Sequence, residues 1–393
     1  MTENVNDKME IKITKKAFSL ETLIFVGLFA VIFTALGSKM GAVNMLNTMM
    51  NTAYSLLMDT VLYIMAIAVV AGALAGLLTE FGVIAAVNKI LSPLMKPLYG
   101  LPGASIVGVL TTYLSDNPAI LTLADDKNFR RYFKKYQLPA LTNIGTAFGM
   151  GLIITAFMAG IKNPMGGNFV GAALIGNLGA IVGSIVSVRL MLLKTKKLFN
   201  TEENACSDGE IGGISLNERV VRSGSVGSRF IEAMLEGGKS GVSTGFAIIP
   251  GVLVICTFIM MLTNGASVDG TFTGEAYEGI GFLPWIADKI NFILSPLFGF
   301  SAAEDIAVPI TALGAAGAAI GLVPGLVANG MATSNDIAVF TAMCMCWSGY
   351  LSTHVAMMDS LHYRELTGHA IISHTIGGLC AGVAAHLICM LIY

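Results

Sequence analysis

The sequence predicts an all-α polytopic membrane protein with about seven spanning helices and two re-entrant helical hairpins in an inverted repeat. Three observations carry this. Of 393 residues, 54% are hydrophobic and only 12% charged, at a mean hydropathy of +0.74; soluble domains carry about 25% charged residues. Two apolar stretches, 100–126 and 301–330, are broken by turn-forming or small residues, so each arm falls short of the roughly 20 residues that cross a bilayer. A shared pattern, Pro-Leu-aromatic-Gly-apolar, precedes both stretches. Pro97 and Pro296 are 199 positions apart, as are Gly100 and Gly299.

The elements follow in order. Residues 1–19 are polar, with Lys8, Lys12, Lys15 and Lys16, and read as a cytoplasmic tail. Residues 20–37 form a first span, and the Asn/Met/Thr-rich 40–54 an outer connection. Residues 56–79 form a second span, with Asp59 near its outer end and a packing stripe of Ala68, Gly72, Ala75 and Gly76. Residues 81–99 carry Lys89, Pro93, Lys96 and Pro97 and suit an interfacial helix. The first hairpin bends at Ser115-Asp116-Asn117-Pro118. Lys89 and Lys96 lie before it; Lys127, Arg130, Arg131, Lys134 and Lys135 lie after it. Basic loops stay cytoplasmic, so both flanks want one side and the segment does not cross.

Residues 138–161 form a third span, with Thr142, Asn143 and Thr146 in its first turns. Residues 167–193 form a fourth, with Gly176, Gly179 and Gly183 spaced for close packing. Residues 198–238 read as a cytoplasmic linker that ends in an interfacial helix from Asn217 to Glu236. A fifth span (240–263), an outer loop without Lys or Arg (264–282) and an interfacial helix (283–299) come next. The second hairpin bends at Gly314–Gly317. Spans at 336–354 and 370–393 complete the chain. The expected division is 1–54, tail and first span; 55–197, first repeat; 198–238, linker; 239–393, second repeat. The first repeat begins outside and the second inside, so their topologies oppose.

Several functions find no support. A net charge of −2 gives nucleic acid no basic surface. Cys344 and Cys346 form only C-x-C, and no H-E-x-x-H or phosphate-binding G-x-x-x-x-G-K-[ST] occurs. The reading is a non-enzyme with no cofactor and no metal centre. His354, Met358 and His362 recur at helical spacing and read as a wet helix end. His374 and His386 lie in the last span, as a pairing across helices or a proton relay.

The runs PLYGLPG…SDNPA (97–119), PLFGF (296–300) and FIEAMLEGGKSGVSTGFAIIPGVLVICTFIMMLTN (230–264) resemble the Gate-domain, or nucleoside-recognition, membrane proteins. More distantly, the last run is similar to the Gly-rich helix between the hairpins of concentrative nucleoside transporters. The resemblance covers roughly 55–160 and 230–355 and says more about fold than about substrate. It implies substrate contacts from Asn117, Thr142, Asn143, Glu304, Ser334 and Asn335. Oligomers are implied by the same analogy. Separately, the acids at the hairpins, Asp116 at membrane depth and Asp305, are expected to couple an ion.

The expected function is secondary active transport of a small polar solute, nucleoside-like or another organic solute, coupled to H+ or Na+. The solute would sit between the two hairpin tips. The expected location is the inner (plasma) membrane, with the amino terminus cytoplasmic. The alternatives are a structural or assembly membrane protein that does not transport, and a metal-ion permease drawing on Cys344, Cys346, His354 and the methionines.

Overall fold

Two long helices that cross antiparallel form one side of the molecule. They are visible in a computed structural model that describes residues 16–115, 130, 132–164, 166–205, 221–267 and 269–393. The chain begins with α1 (Leu20–Met40), whose Leu23, Phe25, Leu28 and Val31 all face outward, as on a helix surrounded by hydrocarbon. Next, α2 (Ala42–Ser55), a π-helical turn (Leu56–Val61) and α3 (Leu62–Glu80) run on as one 39-residue helix. Its partner joins α9 (Val226–Pro250), a second π-helical turn (Gly251–Cys256) and α10 (Thr257–Thr263) over 38 residues. A Cβ on Gly72 would sit on the carbonyl oxygen of Gly237, one on Gly76 on that of Ala233, and one on Gly241 on that of Ala68. The contacts run in opposite senses along the two helices, at a distance only glycine permits.

Between these helices lie α4 (Val83–Tyr99), α5 (Ser105–Leu114), α6 (Ala140–Thr146), α7 (Gly151–Gly160) and α8 (Val170–Leu198). After them come α11 (Phe282–Phe298), a 3-10 turn (Ala303–Ile306), α12 (Ala307–Gly314), α13 (Ala316–Ala328), α14 (Ser334–Cys346), α15 (Tyr350–Ser360) and α16 (Thr367–Ile392). The order of the described elements repeats: long helix with a π turn, amphipathic helix, short apolar helix (α5 and α12), broken helix, long helix. The left-handed residues Gly82, Gly100 and Met150 recur 199 positions later as Gly281, Gly299 and Gly349. The closing helices also cross antiparallel, since a Cβ on Gly183 would strike the Gly377 carbonyl and one on Gly179 would press on that of Ala381. Equivalent helices that run in opposite directions make the repeat an inverted one.

The second hairpin is real. Helices α12 and α13 pack on each other and reverse at Ala315 (φ −160°, ψ 112°), inside the predicted tip. At about 1.5 Å per residue, neither arm reaches across a hydrocarbon core of about 30 Å. The chain returns to its entry point: the Ser301 hydroxyl lies 3.0 Å from that of Thr333. The first unit is closed likewise, because the Gln137 amide donates to the Gly100 carbonyl at 2.9 Å. Its expected tip, with Asp116 and Asn117, lies outside the described residues.

Six helical runs among the described residues are long and apolar enough to cross a membrane, α6–α7 included. The broken pair α14–α15 is the symmetry equivalent of that run. The protein is a multi-pass membrane protein.

The structure departs from two expectations. Residues 42–55 are helical, where an irregular outer connection was expected, because their polar residues share one face that a loop covers. Asn44 donates to the Phe272 carbonyl (2.7 Å), Asn51 to that of Gly274 (2.8 Å), and Thr52 accepts from the Tyr277 amide (2.8 Å). Residues 226–236 are likewise the start of the long α9 helix, where a separate interfacial helix was expected. Glu80, at the end of α3, pairs with Arg222 and Arg229 at 2.7 Å each and secures that start.

Two outcomes follow from this packing. Gly72→Ala should cost about 1–3 kcal/mol through overpacking, read as a lowered Tm, whereas Gly27→Ala, with nothing within 4 Å of its new methyl, should leave Tm unchanged. The buried Glu278 carboxylate accepts from the amide (2.9 Å) and hydroxyl (2.7 Å) of Thr273, the Gly274 amide (3.0 Å) and the Thr48 hydroxyl (3.3 Å). Burial pushes its carboxyl up, but these bonds together hold it below the ordinary glutamate range. Its ionised form therefore stabilises the loop fully above that range and loses hold as pH falls through the depressed value. Hydrogen exchange of residues 271–278, corrected for intrinsic rate, should rise on that acid limb, and Glu278→Gln should show the faster exchange already at neutral pH.

Candidate functional site

The hairpins are held at their bases by matching clamps. The C-terminal carbonyls of α4 and α11 have no intrahelical partner, and their left-handed glycines turn the chain away. In the first unit Gln137 donates to the Gly100 carbonyl, while Arg189 donates to those of Leu98 (2.8 Å) and Pro97. In the second, the Asn335 amide donates to the carbonyls of Phe298 and Gly299, at 2.9 Å each, and its oxygen lies 2.8 Å from His386 Nδ1. Asn335, expected at the solute, is thus fully engaged with helix ends. Ser334 occupies the first position of α14, beside the cap residue Thr333.

The carboxylates at the base of the second hairpin differ. Asp336 accepts from the amide (3.1 Å) and hydroxyl (2.5 Å) of Ser301 and from the amide (2.8 Å) and hydroxyl (2.7 Å) of Thr333. Asp305 is fully buried; one oxygen accepts from the Ala302 amide (2.9 Å), and Oδ1 has no partner. Two buried acids at one hairpin base, one with an unpaired oxygen, suit a bound cation or a shared proton.

Thr142 and Asn143 lie in the interior at 0% exposure. The Asn143 amide donates to Ser187 Oγ (2.9 Å) and to the Ala370 carbonyl (3.1 Å), while Asn143 Oδ1 and Thr142 Oγ1 have no partner. They belong to a buried polar cluster around His374 and His354. That cluster shares no residue with the opening that Glu304 lines, and sequence spacing did not bring its members together.

The opening is a cavity of about 1050 Å³ between the π-helical turn after α2, the end of α7, the loop after α10, and the second hairpin. Asp59, Thr60, Asn264, Glu304 and Asn329 supply polar groups to its wall; Tyr63, Phe157 and Tyr277 supply rings. Asp59 was read as an interfacial acid. It lines this cavity because the π turn, a form that often marks functional positions, projects the segment toward it. Of the predicted site residues within the described part, Glu304 alone reaches the cavity. Lys162 is the cation in its lining. Cys344 and Cys346 are buried among apolar side chains, and the described residues hold no group of three or more His, Cys, Asp or Glu able to take a metal.

The arrangement is that of a multi-pass membrane protein with a fold like that of the concentrative nucleoside transporters. One structure with this fold is a variant of CNTnw in an outward-facing state, at TM-score 0.55 and 14% identity over 95% of this chain and 85% of that one. CNTnw in an inward-facing substrate-bound state gives 0.53 at 13% identity over the same shares. A second outward-facing CNTnw variant gives 0.51 at 14% identity over 94% and 84%. No protein-family model matches the chain, and no curated protein matches it in sequence.

The clamp makes a direct prediction. Asn335→Ala leaves two helix-end carbonyls and His386 without their partner, at about 1–3 kcal/mol for each group left buried and unpaired, and Tm should fall. Asn329→Ala, on the cavity rim, should leave Tm unchanged.

Proposed function

We propose that the protein is a secondary active transporter that carries a small polar solute across the membrane, coupled to H+ or Na+. The observation that carries this reading is the inverted repeat of broken helices, with a hairpin in the second unit, beside a cavity of about 1050 Å³ that has polar groups in its wall. Repeats of this kind place solute between their broken elements, where backbone freed from regular helix can be satisfied by solute or water. The likeness in fold to CNTnw, one of whose structures is substrate-bound, supports the same reading.

The solute is nucleoside-like or another organic molecule of that polarity. Rings from Tyr63 and Tyr277 offer apolar surface to a planar group, while Asp59, Glu304 and Asn329 offer acceptors and an amide to hydroxyls. Asn117 at the first hairpin tip completes the site, with Thr142, Asn143 and Ser334 supporting it from the broken helices and Asn335 holding the hairpin base. Asp305, with its unpaired oxygen, carries the coupling ion at the second hairpin, and Asp116 does so at the first. The face bearing Lys134, Lys135, Lys196 and Lys197 is cytoplasmic, as is the amino terminus, in an inner (plasma) membrane.

The test is uptake into proteoliposomes across a panel of nucleosides and other small polar solutes, with and without imposed H+ and Na+ gradients. Gradient-driven accumulation of at least one solute is expected. Glu304→Gln should raise the solute's KM, and Asp305→Asn should leave equilibrative exchange while abolishing accumulation. Folded protein that accumulates nothing under either gradient overturns the reading.

A further inference from the structure

One buried cluster is left without a role. Each repeat contains a broken helix, and the breaks fall after Thr146 and after Cys346. A single imidazole reaches both. His374, on α16, has Nε2 2.5 Å from the Cys346 carbonyl and 3.3 Å from Thr146 Oγ1, while its Nδ1 lies 2.9 Å from Ser187 Oγ. The partners assign the tautomer: Nε2 carries the hydrogen and donates to the carbonyl, and Nδ1 accepts from Ser187. Ser187 in turn accepts from the Asn143 amide. A second imidazole, His354, lies with its ring centre 4.8 Å from that of His374. Its Nδ1 donates to the Tyr350 carbonyl at 2.7 Å, which leaves Nε2 as a bare acceptor. Both rings are shut away from the surface, at 0% and 1% exposure.

A lone pair buried with no donor is costly, and the two packed helices α6 and α15 carry three such atoms: Thr142 Oγ1 and Asn143 Oδ1 on the first, His354 Nε2 on the second. They accompany two imidazoles at the point where both interrupted helices meet α16. The charged and titratable groups on the packed elements are few. Helix α6 has none. On α8, Arg189 is committed to the carbonyls of Pro97 and Leu98. On α14, Cys344 and Cys346 are near, and Asp336 is bound by Ser301 and Thr333 at the far end of the helix. On α15, Tyr350 touches both imidazoles edge-on or tilted, and Asp359 pairs with Arg364 at the surface. On α16, His369 lies at the start of the helix and Cys380, His386 and Cys389 lie further along, and on α11 Asp288 and Lys289 are exposed. Among the described residues no acid or base bonds to either ring; the Cys346 carbonyl and the Ser187 hydroxyl hold His374, and the Tyr350 carbonyl holds His354.

We propose that His354 and His374 form a proton-holding site at the junction of the two broken helices. The proton comes from water, adds to a nitrogen lone pair of the imidazole pair, and returns to water when the helices rearrange; no other bond changes. Its uptake has a mechanical consequence. With a proton on Nδ1, His374 becomes a donor, so Ser187 must turn its hydroxyl away and cease donating to that nitrogen. The link from α16 through Ser187 to Asn143 on α6 is then remade. The site thereby ties protonation to the packing of the first broken helix against the last. Its part in transport rests on the transporter reading; the proton itself does not, and is read separately.

Trp347 reports on the pair directly. It stacks on Tyr350, which touches both imidazoles, and the chain's other tryptophan, Trp285, is exposed. In full-length Trp285→Phe protein in nanodiscs, Trp347 emission should show a single one-proton transition over roughly pH 4–9, the range that brackets the ordinary imidazole. His374→Gln should abolish the transition, and His362→Gln, which alters an exposed histidine, should leave it in place. If His374→Gln does not fold, His354→Gln takes its place and should likewise remove or shift the transition. A flat emission profile, or a transition that persists unshifted in the folded pair variant, overturns the proposal, whether or not the protein transports any solute.

Discussion

The structure depends on two helix ends that cannot be left bare. At Gly100 and at Gly299 a helix stops with its last carbonyls unpaired, in surroundings where water is scarce and each such group is costly. An amide side chain from beyond the hairpin, Gln137 or Asn335, closes each end, aided by Arg189 or His386 from the following long helix. These bonds do more than cap. They join residues 37 positions apart in the first unit and 36 in the second, so the intervening chain must start and finish at one place. Re-entry therefore follows from a local electrostatic need. Arginine is the stronger complement to a helix C-terminus, and the second unit's use of a histidine marks where the two repeats have diverged.

The inverted arrangement then follows from close helix crossings. Gly72 against Gly237 and Gly183 against Gly377 bring equivalent helices together in opposite directions. Backbones at such separations leave no freedom to slide, so the surrounding frame is stiff. The interrupted helices and the second hairpin carry the unpaired atoms of Thr142, Asn143, His354 and Asp305 and border the cavity.

Much of this was legible in the sequence. Pro97 and Gly100 announced their counterparts Pro296 and Gly299, and the small residues at 314–317 located the reversal at Ala315. The breaks in α6–α7 and α14–α15 were not legible, for a physical reason. The first turns on Met150 in the left-handed region, where a residue other than glycine is uncommon, so an uninterrupted apolar run concealed it. Gly349, read 199 positions back, was the one available signal. The helicity of 42–55 was hidden because its asparagines and threonines resemble a loop until Phe272–Glu278 is seen to lie on them. The His354–His374 contact joins residues on different helices and has no spacing to betray it. The π turn that brings Asp59 to the cavity leaves no mark in hydropathy.

The account stands on each hairpin returning to the face it entered. In a cysteine-free background, Ser301→Cys and Asn329→Cys flank the second hairpin at exposed positions. A membrane-impermeant thiol reagent applied to sealed, oriented vesicles should modify both from the same side and neither from the other. Modification of the two cysteines from opposite sides would mean that 301–329 crosses the bilayer, and the inverted repeat with its cavity would not exist as described.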